Sequence, residues 1–383
     1  MIYLDHAAAT PLSKRAAKAM SVYFDEKFFN PSAAYLPAQR TRHEYEDAKD
    51  TIAHAIGAKG ADLVMTSGAT ESINLAFSII RPGAKVLISS VEHQAVRACA
   101  AKSGNFDTIA VDEYGRVKVS DFEAKLDSET EFVSVCLVCS ELGMLQPVGE
   151  IAALVEKERL RRKMNGETRP LYLHCDASQG LGLMEVRISR LGVDLLTLNA
   201  AKIYGPKGIG ALYVGHGVKL QPLSVGGGQE MGLRSGTENV PATIGFAAAI
   251  TEAEKHQNGE RKRLAKLKKI FQKELSEIPN IKFLGKEKMQ LPSFLPFCVP
   301  DVDAERIIFA LEDQDIYLST GAACAASKGI KSPTLKAIGL NDEEIAGSLR
   351  ISMGRLNDED NIKLAGQKIR EVILAEIQRT SRS

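Results

Sequence analysis

The sequence predicts an α/β protein with a mainly parallel central sheet in a large domain and a smaller α+β domain beside it. Three observations predict this. Short apolar, β-branched runs alternate with stretches of helical period through the first two thirds of the 383 residues, the pattern of a sheet covered by helices on both faces. From about residue 255 the chain turns to charged helix followed by mixed segments, and a hydrophobic content of 44% suffices to fill a substantial core. The large domain is expected over residues 15–255, and the small one over 1–14 and 256–383.

Taken in order, "DLVMTSG", "AKVLISS", "EFVSVCLV", "RPLYLHCD", "VDLLTLN" and "GALYVG" read as short buried strands. Between them, "GEIAALVEKERLRRKM" reads as an amphipathic helix with Ile151, Leu154 and Leu160 on its apolar side. "ERKRLAKLKKIFQKELSEIP" reads as a charged helix with Leu264, Leu267, Phe271, Leu275 and Ile278 along one stripe and Pro279 as its stop. "SFLPFCVP" and "LRISMG" are strand-like, and "AERIIFALEDQ" is helical.

Lys and Arg number 49 against 48 Asp and Glu, a formal net charge of +1, so no large field draws in nucleic acid or an acidic membrane surface. No apolar run approaches the roughly 20 residues of a membrane span, and "MIYLDHAAATP" lacks the features of a secretory leader. A cytoplasmic protein is expected. Its six cysteines are scattered like reduced thiols rather than a disulfide framework. Cys136 and Cys139 in "CLVC" would face opposite sides of an extended strand, which argues against a metal site.

In parallel sheets ligands gather at the carboxyl ends of strands. "MTSGATESINLAF" runs from a strand into a helix start, where Ser67, Gly68 and Thr70 offer hydroxyls and free amides to a phosphate, or else form a capping box with Glu71. "LYLHCDASQGLG" ends a buried strand in Asp176, which needs a cation or donors nearby unless it caps the next helix. "VDLLTLN" delivers Lys202 to the same edge, whereas Lys207 follows Pro206 in a turn and reads as solvated. A partly desolvated lysine forms a Schiff base with an aldehyde. Phosphate cradle, buried Asp and strand-end Lys together describe a pyridoxal phosphate site.

His93 follows "AKVLISS" at that edge, placed to stack on a planar ring and move protons, or to cap a helix. Arg350 lies in an apolar run, where its partner is a substrate carboxylate or a structural ion pair. Cys324, in "YLSTGAACAASKGIKSP", sits among Gly, Ala and Ser, the composition of a mobile, exposed loop that lets a thiol swing between substrate and acceptor; the rival reading is a small buried hydrophobe.

These residues together resemble the cysteine desulfurases, class V members of the fold type I pyridoxal phosphate transferases. The likeness runs from "YLDHAAATP" through "NPS", "TSGATES", "EHQAV", "HCDASQ", "KIYGPKGIGALYV", "GGGQEMGLRSGT" and "STGAAC" to "LRISMGR", and is similar to the long-loop branch of iron–sulfur and nitrogenase-assembly desulfurases. The resemblance implies that Lys202 carries pyridoxal 5'-phosphate, Asp176 keeps its ring nitrogen protonated, Gln179 bonds its phenolic oxygen, and His93 stacks on the ring. It also implies phosphate binding by Ala69 and Thr70, a reach of Thr237 to the cofactor of a homodimer partner, a hold of Arg350 on the substrate carboxylate, and attack of Cys324 on substrate sulfur.

The implied activity is conversion of L-cysteine to alanine with a Cys324 persulfide, passed to a sulfur-acceptor protein such as an iron–sulfur scaffold or, with nucleic acid met only indirectly, to tRNA-thiolation enzymes. The alternatives are a selenocysteine lyase or class V aminotransferase, and a non-catalytic assembly subunit. Two departures stand out. Asn199, Ala200 and Ala201 replace the family's usual Ser-Gly-His before the lysine, and Ser140 stands where an Asn is usual near the ring oxygen. Each lost hydrogen bond costs about 1–3 kcal/mol, so a weaker hold on the cofactor is expected.

Overall fold

The central apolar runs become strands because they are buried along their length, and shorter or edge strands join them. In chain order they are β1 (Ile2–Tyr3), β2 (Leu63–Thr66), β3 (Lys85–Ser89), β4 (Phe106–Ile109), β5 (Thr130–Ser134), β6 (Tyr172–Asp176) and β7 (Leu195–Asn199). There follow β8 (Gly210–Val214), β9 (Lys282–Phe283), β10 (Phe294–Cys298), β11 (Ile316–Tyr317), β12 (Ser319–Thr320) and β13 (Ser348–Ser352). This computed structural model describes residues 1–321 and 332–381.

A seven-stranded sheet has the order β2-β8-β7-β6-β5-β3-β4. Only β8 runs antiparallel, to both β2 and β7. The carboxyl ends of β2, β3, β5, β6 and β7 therefore share one edge. Side chains alternate between two cores: in β3, Val86 and Ile88 enter one and Leu87 the other, as the period of two requires. A four-stranded antiparallel sheet, β12-β13-β10-β9, packs with a separate cluster that includes Leu267, Phe271, Leu295 and Ile351.

Three sequence expectations need correction. The charged helix does not stand alone: one 36-residue helix, Val240–Leu275, buries Val240, Phe246 and Ile250 in the large core and Leu264, Leu267, Phe271 and Leu275 in the small one. Gly259 passes through it, and Ser276 caps it before Pro279 is reached. In the helix Val148–Met164, Ile151 and Val155 are buried but Leu160 is 53% exposed. At about 100° per residue, Leu160 lies half a turn away from Ile151. Finally β4, an edge strand with Phe106 and Asp107 exposed, was absent from the sequence reading.

Candidate active site

At the shared carboxyl edge lies a cavity of about 460 Å³, lined by residues from every one of these strand ends. The size suits a small cofactor and substrate. After β2 the chain turns at Gly68 (φ 145°), which occupies the N-cap of the helix Ala69–Phe77. That position leaves Ser67 and Thr70 without the expected capping role; Ser67 N–H instead donates to Glu71 Oε2 at 2.6 Å. The helix start sits directly on β8, because a Cβ on Gly210 would lie 2.7 Å from Gly68 Cα. Ala69 and Thr70 thus present a helix N-terminus to the cavity.

Asp176 closes β6, 8% exposed, with Oδ1 accepting from Ser178 N at 2.9 Å. Lys202 ends the 3₁₀ turn Ala200–Lys202, whose cap is Asn199: its Oδ1 accepts from Ala201 N at 3.1 Å. The Lys202 ammonium donates to Ala7 O at 2.8 Å and to Ala8 O. Gln179 Nε2 donates to the same Ala7 O at 2.9 Å, so one carbonyl bridges two expected cofactor contacts. His93 caps the helix Gln94–Ser103, with Nδ1 accepting from Ala95 N at 3.1 Å. Burial pushes its pKa down, against the opposing charge of Asp176, and Lys202 and Arg350 lower it further. Capping and cavity lining are therefore compatible for this imidazole.

Arg350, 5% exposed on β13, donates from Nη2 to Asp5 Oδ1 at 2.6 Å and from Nη1 to Ser140 O at 3.0 Å. Its Nε is buried with no partner among the described residues, as is the Ser178 hydroxyl, and both residues line the cavity. Buried polar atoms are normally partnered, so two orphans on residues of one cavity wall mark it as a polar site. Lys202, Asp176, Gln179, His93, Ala69, Thr70, Ser140, Asn199 and Arg350 all line this cavity. Thr237 is exposed and absent from its lining, and Cys324 lies outside the described residues.

The sequence profile of aminotransferase class V matches residues 2–364. The chain belongs to the class V aminotransferase family. Within it, the cysteine desulfurase IscS 1 of Archaeoglobus fulgidus is 37% identical over 388 residues, covering 99% of this chain and 97% of that protein. Among solved structures, a NifS-like protein superposes with a TM-score of 0.89 at 28% identity, covering 98% of this chain and 99% of its own. The structure of SspA in complex with cysteine gives 0.80 at 27% identity, covering 92% and 99%. The resemblance carried by the motifs and the fold expected from them are both borne out.

Several groups in this class V site escaped the sequence reading. Asp5 partners Arg350, and the carbonyls of Ala7 and Ala8 hold Lys202. Lys207, read as solvated, is exposed but donates to Thr10 O at 2.8 Å at the cavity wall. Glu92 is 3% exposed, and its Oε1 accepts from Ser89 Oγ at 2.8 Å and Cys136 N at 2.6 Å. Burial pushes its pKa up to about 8, and Asp176 adds to the shift. The one sequence signal was the position of Glu92 immediately before His93.

Proposed function

We propose that this chain is a pyridoxal phosphate-dependent L-cysteine desulfurase that passes sulfur from Cys324 to an acceptor protein. The observation that carries the reading is a single cavity bringing together an amine, a carboxylate, a helix N-terminus and an orphaned guanidinium nitrogen. The donor set fits the cofactor, although Ala201 offers the phosphate no side-chain donor. When bound, pyridoxal phosphate supplies an aldehyde that joins an amine and a protonated ring that withdraws electrons.

Lys202 Nζ would be the amine for that aldehyde and, as a free amine, the base for the substrate Cα proton. Asp176 would keep a proton on the ring nitrogen, Gln179 would bond the phenolic oxygen, and His93 would stack on the ring. Ala69 and Thr70 would receive the phosphate through backbone amides and the helix dipole, Asn199 would replace part of the bonding lost at Ala201, and Ser140 would sit near the ring oxygen. Arg350, held by Asp5 and the Ser140 carbonyl, would take the substrate carboxylate. The Cys324 thiolate attacks the substrate sulfur; an S–S bond forms as the Cβ–S bond breaks, the carbon is protonated, and alanine leaves. A homodimer completes the reading, with the exposed Thr237 reaching the partner's cofactor. The fold also has no helix, among the described residues, long and apolar enough to cross a membrane.

The test is incubation of cofactor-loaded protein with L-cysteine, quantifying alanine, sulfide and Cys324 persulfide. Equal alanine and sulfur are expected, with sulfide release abolished in Cys324→Ser. An unimpaired Cys324→Ser variant would overturn the reading.

A further inference from the structure

Behind Lys202 lies a second, smaller cavity. It shares Ala7, Gln179 and Lys202 with the substrate-side cavity, and His256, Glu260 and Arg355 with an open surface cleft of about 400 Å³. Its water-accessible volume is about 40 Å³. A water needs roughly 10–15 Å³ by that measure, so about three fit.

Two residues lining this space carry buried polar atoms without partners among the described residues. His6 Nδ1 lies 3.1 Å from the Ser352 carbonyl oxygen, which only accepts, so Nδ1 carries the proton and Nε2 is a bare acceptor. Nε2 is buried with no partner among the described residues, and so is the hydroxyl of Ser293; the residues are 6% and 3% exposed. Both line the cavity. Burial holds the His6 imidazole below its ordinary pKa and keeps it neutral. The ring is pinned, 5.0 Å from the Tyr3 ring and so close to Gly354 that a Cβ there would lie 2.3 Å from its Cδ2. Two fixed, unsatisfied groups in a space of this size are the conditions under which buried water is retained.

We infer that this cavity holds a short chain of ordered water, anchored by His6 Nε2 and Ser293 Oγ, that links Lys202 to bulk solvent at His256 and Glu260 by a route separate from the substrate cavity. The role rests on the reading of Lys202 as the base. With substrate filling the front cavity, the amine needs another path to exchange its proton. A proton leaving Nζ passes to the nearest water while one leaves the last water for solvent, so every water is regenerated. His6 and Ser293 are positioning residues for that chain.

Crystals of the cofactor-loaded wild type should show ordered water within hydrogen-bond distance of His6 Nε2 and Ser293 Oγ, displaced in His6→Leu and thinned in Ser293→Ala. In D2O, exchange of the Cα proton of L-alanine should slow about tenfold in His6→Leu and recover to within about threefold in His6→Gln, with KM for L-cysteine within twofold throughout. A dry cavity in the wild type overturns the inference whatever reaction the enzyme performs. Exchange at the wild-type rate in both His6→Leu and Ser293→Ala overturns the relay. A wild type that exchanges no proton refutes the base role of Lys202 and the relay with it, while the crystals alone judge the water site.

Discussion

Replacing Ala201 by histidine should tighten the hold on pyridoxal phosphate. The backbone of Ala201 is fixed on both sides: its N–H donates to Asn199 Oδ1 at 3.1 Å, and its carbonyl accepts from Thr10 N and Thr10 Oγ1, each at 3.0 Å. A larger side chain there changes the cavity wall rather than the turn. An imidazole N–H reaching the phosphate adds one charge-assisted hydrogen bond, about 1.5–3 kcal/mol, or about 10- to 100-fold in Kd. Titration of apoprotein with pyridoxal phosphate, followed by absorbance, measures it. Ala201→Phe, with similar bulk and no donor, should gain nothing. An Ala201→His Kd within twofold of wild type, at unchanged Tm, would refute the expectation that the missing imidazole weakens the hold on the cofactor.

The Asp5–Arg350 pair is buried on the arginine side and 20% exposed on the aspartate side chain. Asp5→Ala should cost about 2–4 kcal/mol, slightly below the range for fully buried pairs, while Asp5→Asn, which keeps an acceptor, should cost about half; urea unfolding that finds Asp5→Ala unchanged contradicts this. His174 is fully buried, bonded to Ser134 Oγ and Thr197 Oγ1 at 2.9 Å each, and burial pushes its pKa down to about 4. The unfolded chain takes up the proton near pH 6.5 and the folded one only near 4, so stability is full above 6.5 and falls by up to about 3 kcal/mol on acidification across that window. Unfolding free energies against pH should show this slope in the wild type and a flatter one in His174→Gln.

Much of the fold was legible because the central strands are buried and mostly apolar. The edge strand Phe106–Ile109 was not, since half of it faces water and its sequence reads as polar. Leu160 shows how an apolar residue nine positions along a helix lands on the wrong side when spacing is not converted to an angle. Lys202, Asp176 and His93 were readable because each lies at or just after a strand end, where topology alone decides the edge. Asp5 and the Ala7 carbonyl were not, because they meet Arg350 and Lys202 across 345 and 195 residues, and a backbone carbonyl leaves no trace in sequence.

The most direct measurement is the site of covalent attachment. Loading the protein with pyridoxal phosphate, reducing with borohydride and mapping the peptides should place the label on Lys202 alone, with none in Lys202→Ala. A label on Lys207 or elsewhere, or no label at saturating cofactor, would contradict the account.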